Sequence, residues 1–188
     1  MTRTICAYDD GRQIAHGDLL SVARAVKAHL HAQGERLVLI FDAESGRVTD
    51  VMLNGSDAET EAWIRENIAD ALPSPRKTRG RPKLGVVSRE ITLLPRQWEW
   101  LSGQPGGASV TVRRLVDAAA KDPDAQRRAA QEAAYRFATA LAGNAPGFEE
   151  AMRALFAGDS VAFGGLIAAW PEDVRKRTAL LADAAWPA

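Results

Sequence analysis

The chain has 188 residues, 46% hydrophobic, 26% charged and 6% aromatic, so it can build one sizeable core or two small ones and is too apolar for wholesale disorder. Twenty-four Lys and Arg against twenty-four Asp and Glu give a formal net charge of zero, which taken whole argues against a polyanionic partner. A single cysteine, Cys6, excludes an internal disulfide and a cysteine-rich metal site. The opening MTRTICAYDDGRQ lacks the apolar core of a secretory signal. No apolar run approaches the roughly 20 residues of a membrane span, so a cytoplasmic protein with no membrane contact is expected.

Taken in chain order, Thr4 to Tyr8 reads as a strand and Asp9-Asp10-Gly11 as a turn. Leu19, Val22, Val26 and Leu30 recur at helical spacing, giving an amphipathic helix that ends near Gly34. Arg36 to Phe41 reads as a buried strand, Asp42 to Gly46 as a turn and Arg47 to Leu53 as a second strand, together a hairpin. Ser56 with Glu59 matches a capping box, and Ile64, Ile68 and Leu72 continue one helix face. Residues 1–72 are therefore expected to form a small α+β domain of β-α-β-β-α order.

Residues 73–85, PSPRKTRGRPKLG, hold three prolines and two glycines, so neither helix nor strand propagates through them. They read as an exposed basic arm. Residues 86–94 follow as a short strand, and everything after Pro95 reads helical. Pro95 opens a helix carrying Trp98 and Leu101, Gln-Pro-Gly-Gly stops it, and Ser109 is the expected cap of a helix with Val112, Leu115, Val116 and Ala119 on one face. Pro123 starts a long helix with Ala130, Ala133, Ala134, Phe137 and Leu141 in register. Shorter helices complete a tail over 122–188, punctuated at Gly143-Asn144, Gly158-Asp159 and Trp170-Pro171. The expected class is α+β: a small N-terminal domain, a basic linker, then a short strand and a helical C-terminal part with a strand-helix-helix module over 86–121.

Resolved by position, the charge is not neutral. Residues 1–75 hold seven basic and twelve acidic groups and residues 90–188 hold eleven and twelve, while the stretch between holds six basic and no acidic group: Arg76, Lys77, Arg79, Arg81, Lys83 and Arg89. An island of +6 sits inside a remainder of −6.

Within that island, Lys77-Thr78-Arg79-Gly80-Arg81-Pro82-Lys83 resembles the AT-hook, a short motif built on Arg-Gly-Arg-Pro. The minor groove of A·T-rich DNA is narrow and strongly negative, and it favours an extended backbone with arginines along its floor. The resemblance implies that Arg79 and Arg81 insert, that Gly80 avoids a clash and Pro82 holds the chain extended, and that Arg76, Lys77 and Lys83 contact phosphates. A solvated basic linker joining two domains is the alternative.

The order of strand, Pro-started helix, Gly-containing turn and second helix over SREITLLPRQWEWLSGQPGGASVTVRRLVDAA resembles the ribbon-helix-helix DNA-binding module, which implies a homodimer with paired strands in the major groove. Alternation places Arg89, Ile91 and Leu93 on one strand face and Ser88, Glu90, Thr92 and Leu94 on the other, so Ile91 and Leu93 are core candidates and Thr92 faces the groove. The module usually buries the residue before the helix-starting proline, which here would bury Leu94 with Thr92 and Glu90. A groove-facing Glu90 would repel phosphate, so neither register fits the module well. The second helix could meet a phosphate at Gly107-Ala108-Ser109, with Arg113 and Arg114 nearby. A helical corner in an ordinary bundle is the alternative.

Over most of its length the chain also resembles a bacterial family known as domain of unknown function 2239, chiefly in GRPKLGVVSREITLLPRQWEWL and PGGASVTVRRLV, and more loosely in VLIFDAESGR, QEAAYRF and PGFEEAMRALFAGD. That resemblance implies a bacterial origin and carries no activity with it.

Catalytic chemistry is not legible. His29 and His31, two apart on a helix, point about 200° apart and chelate poorly, so they and His16 are read as surface histidines. Cys6 is read as an inert buried thiol. No Ser, His and Asp arrangement, phosphate loop or dinucleotide turn is recognisable, so no enzyme activity, cofactor or metal is expected. Trp98, Trp100, Trp170 and Trp186 suit core or dimer packing better than base stacking. The sequence thus points to a bacterial transcription regulator or nucleoid-associated factor binding A·T-rich double-stranded DNA. A protein-interaction adaptor and an RNA-binding protein are the alternatives.

Overall fold

The computed structural model describes residues 3–68 and 89–187. They divide into two compact units, one formed by Met1–Ser74 with Gln126–Ala188 and the other by Pro75–Ala125. The first unit is discontinuous in sequence, so the N-terminal segment and the helical tail belong to one folded body.

Its element order opens β1 (Ile5–Asp9), β2 (Arg12–Gly17), α1 (Leu19–Gln33), β3 (Val38–Asp42), α2 (Asp57–Asn67). The order is β-β-α-β-α, which corrects the expected β-α-β-β-α. The strands form an antiparallel sheet in the order β2-β1-β3. Asp10 and Gly11 both adopt positive φ (48° and 78°), the left-handed pair that closes a tight hairpin between β1 and β2. The expected hairpin over 36–53 survives only as the Asp42 to Gly46 turn and one bridge, Phe41 to Val48. Beyond it Val51 and Leu53 leave the sheet edge to cover the core around Ile64.

β1 is buried along its whole length because both of its faces are apolar and both are covered. Ile5 and Ala7 point to one side and pack with Leu19, Val22 and Val26 of α1, Ile64 of α2 and Ile40 of β3. Cys6 and Tyr8 point to the other side with Phe41. There they meet α5 (Pro123–Ala142), α6 (Phe148–Ala157), α7 (Ser160–Leu166) and α8 (Glu172–Leu181), with short 3-10 turns at Ile167–Ala169 and Asp183–Ala185. The aromatic centre is Phe137, edge-on to Tyr8 at 5.2 Å and to Phe41 at 4.9 Å.

The helix ends follow local chemistry. The Asp18 carboxylate accepts from the Ser21 amide at 3.0 Å to cap α1. Ser56 and Glu59 form the expected capping box of α2. Trp170 is buried, stacks on Phe148 and donates its Nε1–H to the Pro146 carbonyl at 3.2 Å, while Trp186 packs on Phe163.

In the second unit, α3 (Pro95–Ser102) and α4 (Gly107–Lys121) are joined by a four-residue turn. Of the strand expected over 86–94, residues 86–88 lie outside the described residues. Residues 89–94 run into α3 outside any strand, with Leu94 extended (φ −66°, ψ 150°). This corrects the expected strand over its described part: the ring of Pro95 disfavours helical dihedrals at the residue before it, so Leu94 is extended without any ladder.

Candidate functional site

Pro95 starts α3 with its φ preset and no N–H to waste, and the Gln97 side chain accepts from the Leu94 amide at 2.8 Å. Gly106, left-handed at φ 84°, sets the entry to α4, which begins at Gly107. This corrects the expected cap: Ser109 lies inside the first turn, exposed, and its carbonyl accepts from the Arg113 guanidinium Nε at 3.0 Å.

The two helices differ in length, eight residues against fifteen, or about 12 Å against 22 Å at the helical rise. The apolar stripe of α4 runs through Thr111, Val112, Leu115, Val116 and Ala119. α3 packs on it but is too short to run its whole length. Among the described residues of this unit only Leu101 (5% exposed) and Thr111 (1%) are buried, whereas Leu115 is 48% and Val116 60% exposed. Ile91, Leu94, Trp98 and Trp100 are exposed as well. The expected core role of Ile91 is therefore not met within one chain.

Opposite that stripe α4 is cationic. Arg113, Arg114 and Lys121 occupy the far side of the helix with one acidic residue, Asp117, among them. All four are exposed. Arg113 was expected at the site, whereas Lys121 was missed although its i, i+7 spacing from Arg114 puts it on the same face. Arg89 and Thr92 are both exposed ahead of α3. Arg76, Lys77, Arg79, Gly80, Arg81, Pro82 and Lys83 lie outside the described residues. The structure brings Ser109 and Arg113 together and describes no contact that joins Arg89 or Thr92 to them.

The unit boundary also sorts the charge. Residues 75–125 hold ten basic and five acidic groups, net +5, and the remainder holds fourteen and nineteen, net −5. That sorting follows a fold boundary, not an arbitrary window.

The first unit carries an open groove of about 1700 Å³ beside the Asp42 turn, lined among others by Arg3, His16, Arg47, Asp50, Trp63 and Arg177. Its charges are mixed. Burial pushes the Asp42 carboxyl up, but hydrogen bonds from the Ser45 amide and hydroxyl and the Glu44 amide outweigh it and hold the group below its ordinary value. Arg136 on the same wall is tied to Glu132 and to the Ser45 carbonyl.

Sequence reasoning missed a polar cluster around the buried Asp9. Asp9, 8% exposed, accepts from His29 Nε2 at 2.7 Å and from Arg36 Nη1 at 3.0 Å, fastening β1 to α1 and to the approach to β3. Its members are 20 and 27 residues apart, so no local pattern reveals it. His29 is therefore a structural partner, not a free surface side chain. Cys6 is buried, its thiol pushed up by burial and facing the Phe41 carbonyl at 3.8 Å, as an inert thiol should be. Among the described residues no three His, Cys, Asp or Glu side chains gather as a metal site, and no helix is long and apolar enough to cross a membrane.

No curated protein and no solved structure matches this chain. A family model described as an uncharacterized protein conserved in bacteria (DUF2239) matches residues 4–182, across both units. The chain belongs to that bacterial family.

Proposed function

We propose that this protein binds double-stranded DNA, A·T-rich sites preferred, through residues 75–125, and acts in the cytoplasm as a transcription regulator or nucleoid-associated factor. The observation that carries the reading is the sorting of charge along the fold boundary, +5 on one unit and −5 on the other. A polyanion is attracted to the first and repelled by the second, which confines contact to one region. The cationic side of α4 extends that attraction beyond the arm. In the AT-hook-like arm, Arg79 and Arg81 enter the minor groove and Arg76, Lys77 and Lys83 contact phosphates, as does Arg113 on α4. The reading needs no catalytic step, cofactor or metal.

The test is binding of labelled A·T-rich duplex, G·C-rich duplex and RNA to the full chain. The expected result is tighter binding to A·T-rich duplex, with the preference lost in Arg79→Ala combined with Arg81→Ala. Equal affinity for RNA would transfer the reading to RNA. No binding at low salt would leave residues 73–85 as the linker of a protein-interaction adaptor.

A further inference from the structure

We propose that the cleft between the turn at 42–48 and α5 binds a small planar aromatic anion, with the Tyr135 ring and Val48 against the ligand's ring and the Arg47 guanidinium on its anionic head. The site lies wholly within the first unit and goes beyond the DNA reading, to which it adds a small-molecule effector.

The cleft encloses about 500 Å³, with Gly46, Arg47 and Val48 on one wall and Tyr135, Arg136 and Thr139 on the other. That volume suits a small ligand. Thr139 follows Tyr135 by four residues and Arg136 by three, so the three side chains share one side of α5. Both walls are held in place without a ligand. The turn lies directly on α5, since an added Cβ at Gly46 would come 2.2 Å from the Ala133 carbonyl oxygen. Arg136 donates to the Ser45 carbonyl at 3.3 Å, and the bridge from Val48 to Phe41 ties the end of the turn to β3. A cleft formed in advance costs a ligand little ordering.

The chemistry of the walls selects the ligand. Val48 and Tyr135 meet across the cleft, and the Tyr135 ring continues into Phe156 through a T-shaped contact at 5.8 Å. All three are exposed, Val48 by 51%, Tyr135 by 41% and Phe156 by 52%. An open aromatic face favours a flat ring laid on it. No carboxylate lines the cleft. Glu132, which holds Arg136, lines the neighbouring groove beside the Asp42 turn. Arg47 is exposed and forms no ion pair among the described residues. Its planar fork of donors matches a carboxylate or a phosphate at two points. An uncharged ring would leave that fork unused, and a non-aromatic acid would leave the ring face wet.

The experiment titrates the isotope-labelled full chain with naphthoate and with naphthyl phosphate, which distinguish the two anionic heads, and follows the backbone amide resonances. Naphthalenemethanol, a ring without charge, and cyclohexanecarboxylate, a charge without an aromatic ring, are the controls. At least one aromatic anion should bind with a dissociation constant of about 1 mM or tighter. The resonances that move should cluster at residues 46–48 and 135–139. Both controls should bind about fivefold more weakly or worse. Arg47→Glu should lose the anion, Tyr135→Ala should bind it about fivefold more weakly, and Tyr135→Phe should bind it as the wild type does. The wild-type resonance map does not depend on any variant folding. Resonance changes centred elsewhere, no binding at about 5 mM, equal binding of naphthalenemethanol, or unchanged affinity in Arg47→Glu or Tyr135→Ala would each overturn the proposal. The Arg79→Ala, Arg81→Ala variant separates this result from the DNA reading, since it should lose A·T preference while binding the aromatic anion as the wild type does.

Discussion

Thr111 and Leu115 stand one turn apart on the same side of α4, yet Thr111 is 1% exposed and Leu115 48%. α3 packs on α4 but, with eight residues to fifteen, is too short to flank its whole length. The covered position also carries a defect, because the Thr111 hydroxyl is buried without a hydrogen-bond partner, as is that of Thr178 in α8. Replacing a buried, unpaired hydroxyl by a methyl of similar shape removes a desolvation penalty. Thr111→Val and Thr178→Val should each raise stability by about 1 kcal/mol, read as a higher urea midpoint with an unchanged slope.

Phe137 holds the sheet to the helical tail through Tyr8 and Phe41. Phe137→Ala should cost about 3–5 kcal/mol, the range for emptying a buried aromatic site. A fragment ending at residue 72 would leave Cys6, Tyr8 and Phe41 uncovered. It is expected to lack cooperative unfolding and to aggregate, which calorimetry and light scattering would detect.

At Gly46, where φ is +65°, an added Cβ would sit 2.2 Å from the Ala133 carbonyl oxygen. Gly147 is left-handed as well, at φ 74° and ψ 12°, and an added Cβ there meets its nearest atom, Leu166 Cδ2, at an ordinary 3.6 Å. Gly147→Ala should therefore lose about 1 kcal/mol from backbone strain alone. Gly46→Ala should lose at least about 2–3 kcal/mol because the Asp42 turn must also move off α5. Equal thermal shifts for the two variants would contradict the close approach.

Two carboxylates and one phenol should set the pH limits. Hydrogen bonds from Ser21 hold Asp18 below its ordinary value, and those around Asp42 outweigh burial to do the same there. A lowered folded pKa stabilises above the unfolded value near 3.9, and that stability drains as pH falls through the folded value. Asp18→Asn with Asp42→Asn should flatten the loss of stability below about pH 4. Tyr8 behaves oppositely: burial pushes its hydroxyl up to about 12. Its contribution is complete below an unfolded value of about 10 and disappears as pH rises through the folded one. A phenolate titration should show a component near 12 in the wild type that is missing from Tyr8→Phe.

What could be read from sequence was mostly local. The α1, α2, α3 and α5 boundaries followed from Gly34, the Ser56 and Glu59 pair, Pro95 and Pro123, each acting within one turn of itself. β2 was overlooked because Arg12 to Gly17 lacks alternation and is recruited by the Asp10-Gly11 turn. The shared core was in principle visible, since Ile5 to Tyr8 is apolar on both faces and a strand covered on one side only would alternate. At the candidate site the cations were legible as composition. The uncovered stripe was not, because it arises from the mismatch in length between α3 and α4.

The most direct measurement of the central claim is the salt dependence of A·T-rich duplex binding by the full chain. Five arm cations, two in the groove and three on phosphates, displace the counterions of about five phosphates and give a log-log slope near −4.5, which the phosphate contact assigned to Arg113 would steepen by about 0.9. A slope of that size, reduced by about 1.8 in the Arg79→Ala, Arg81→Ala variant, is the expected result. A slope near zero, or no binding at the lowest salt, would contradict the account.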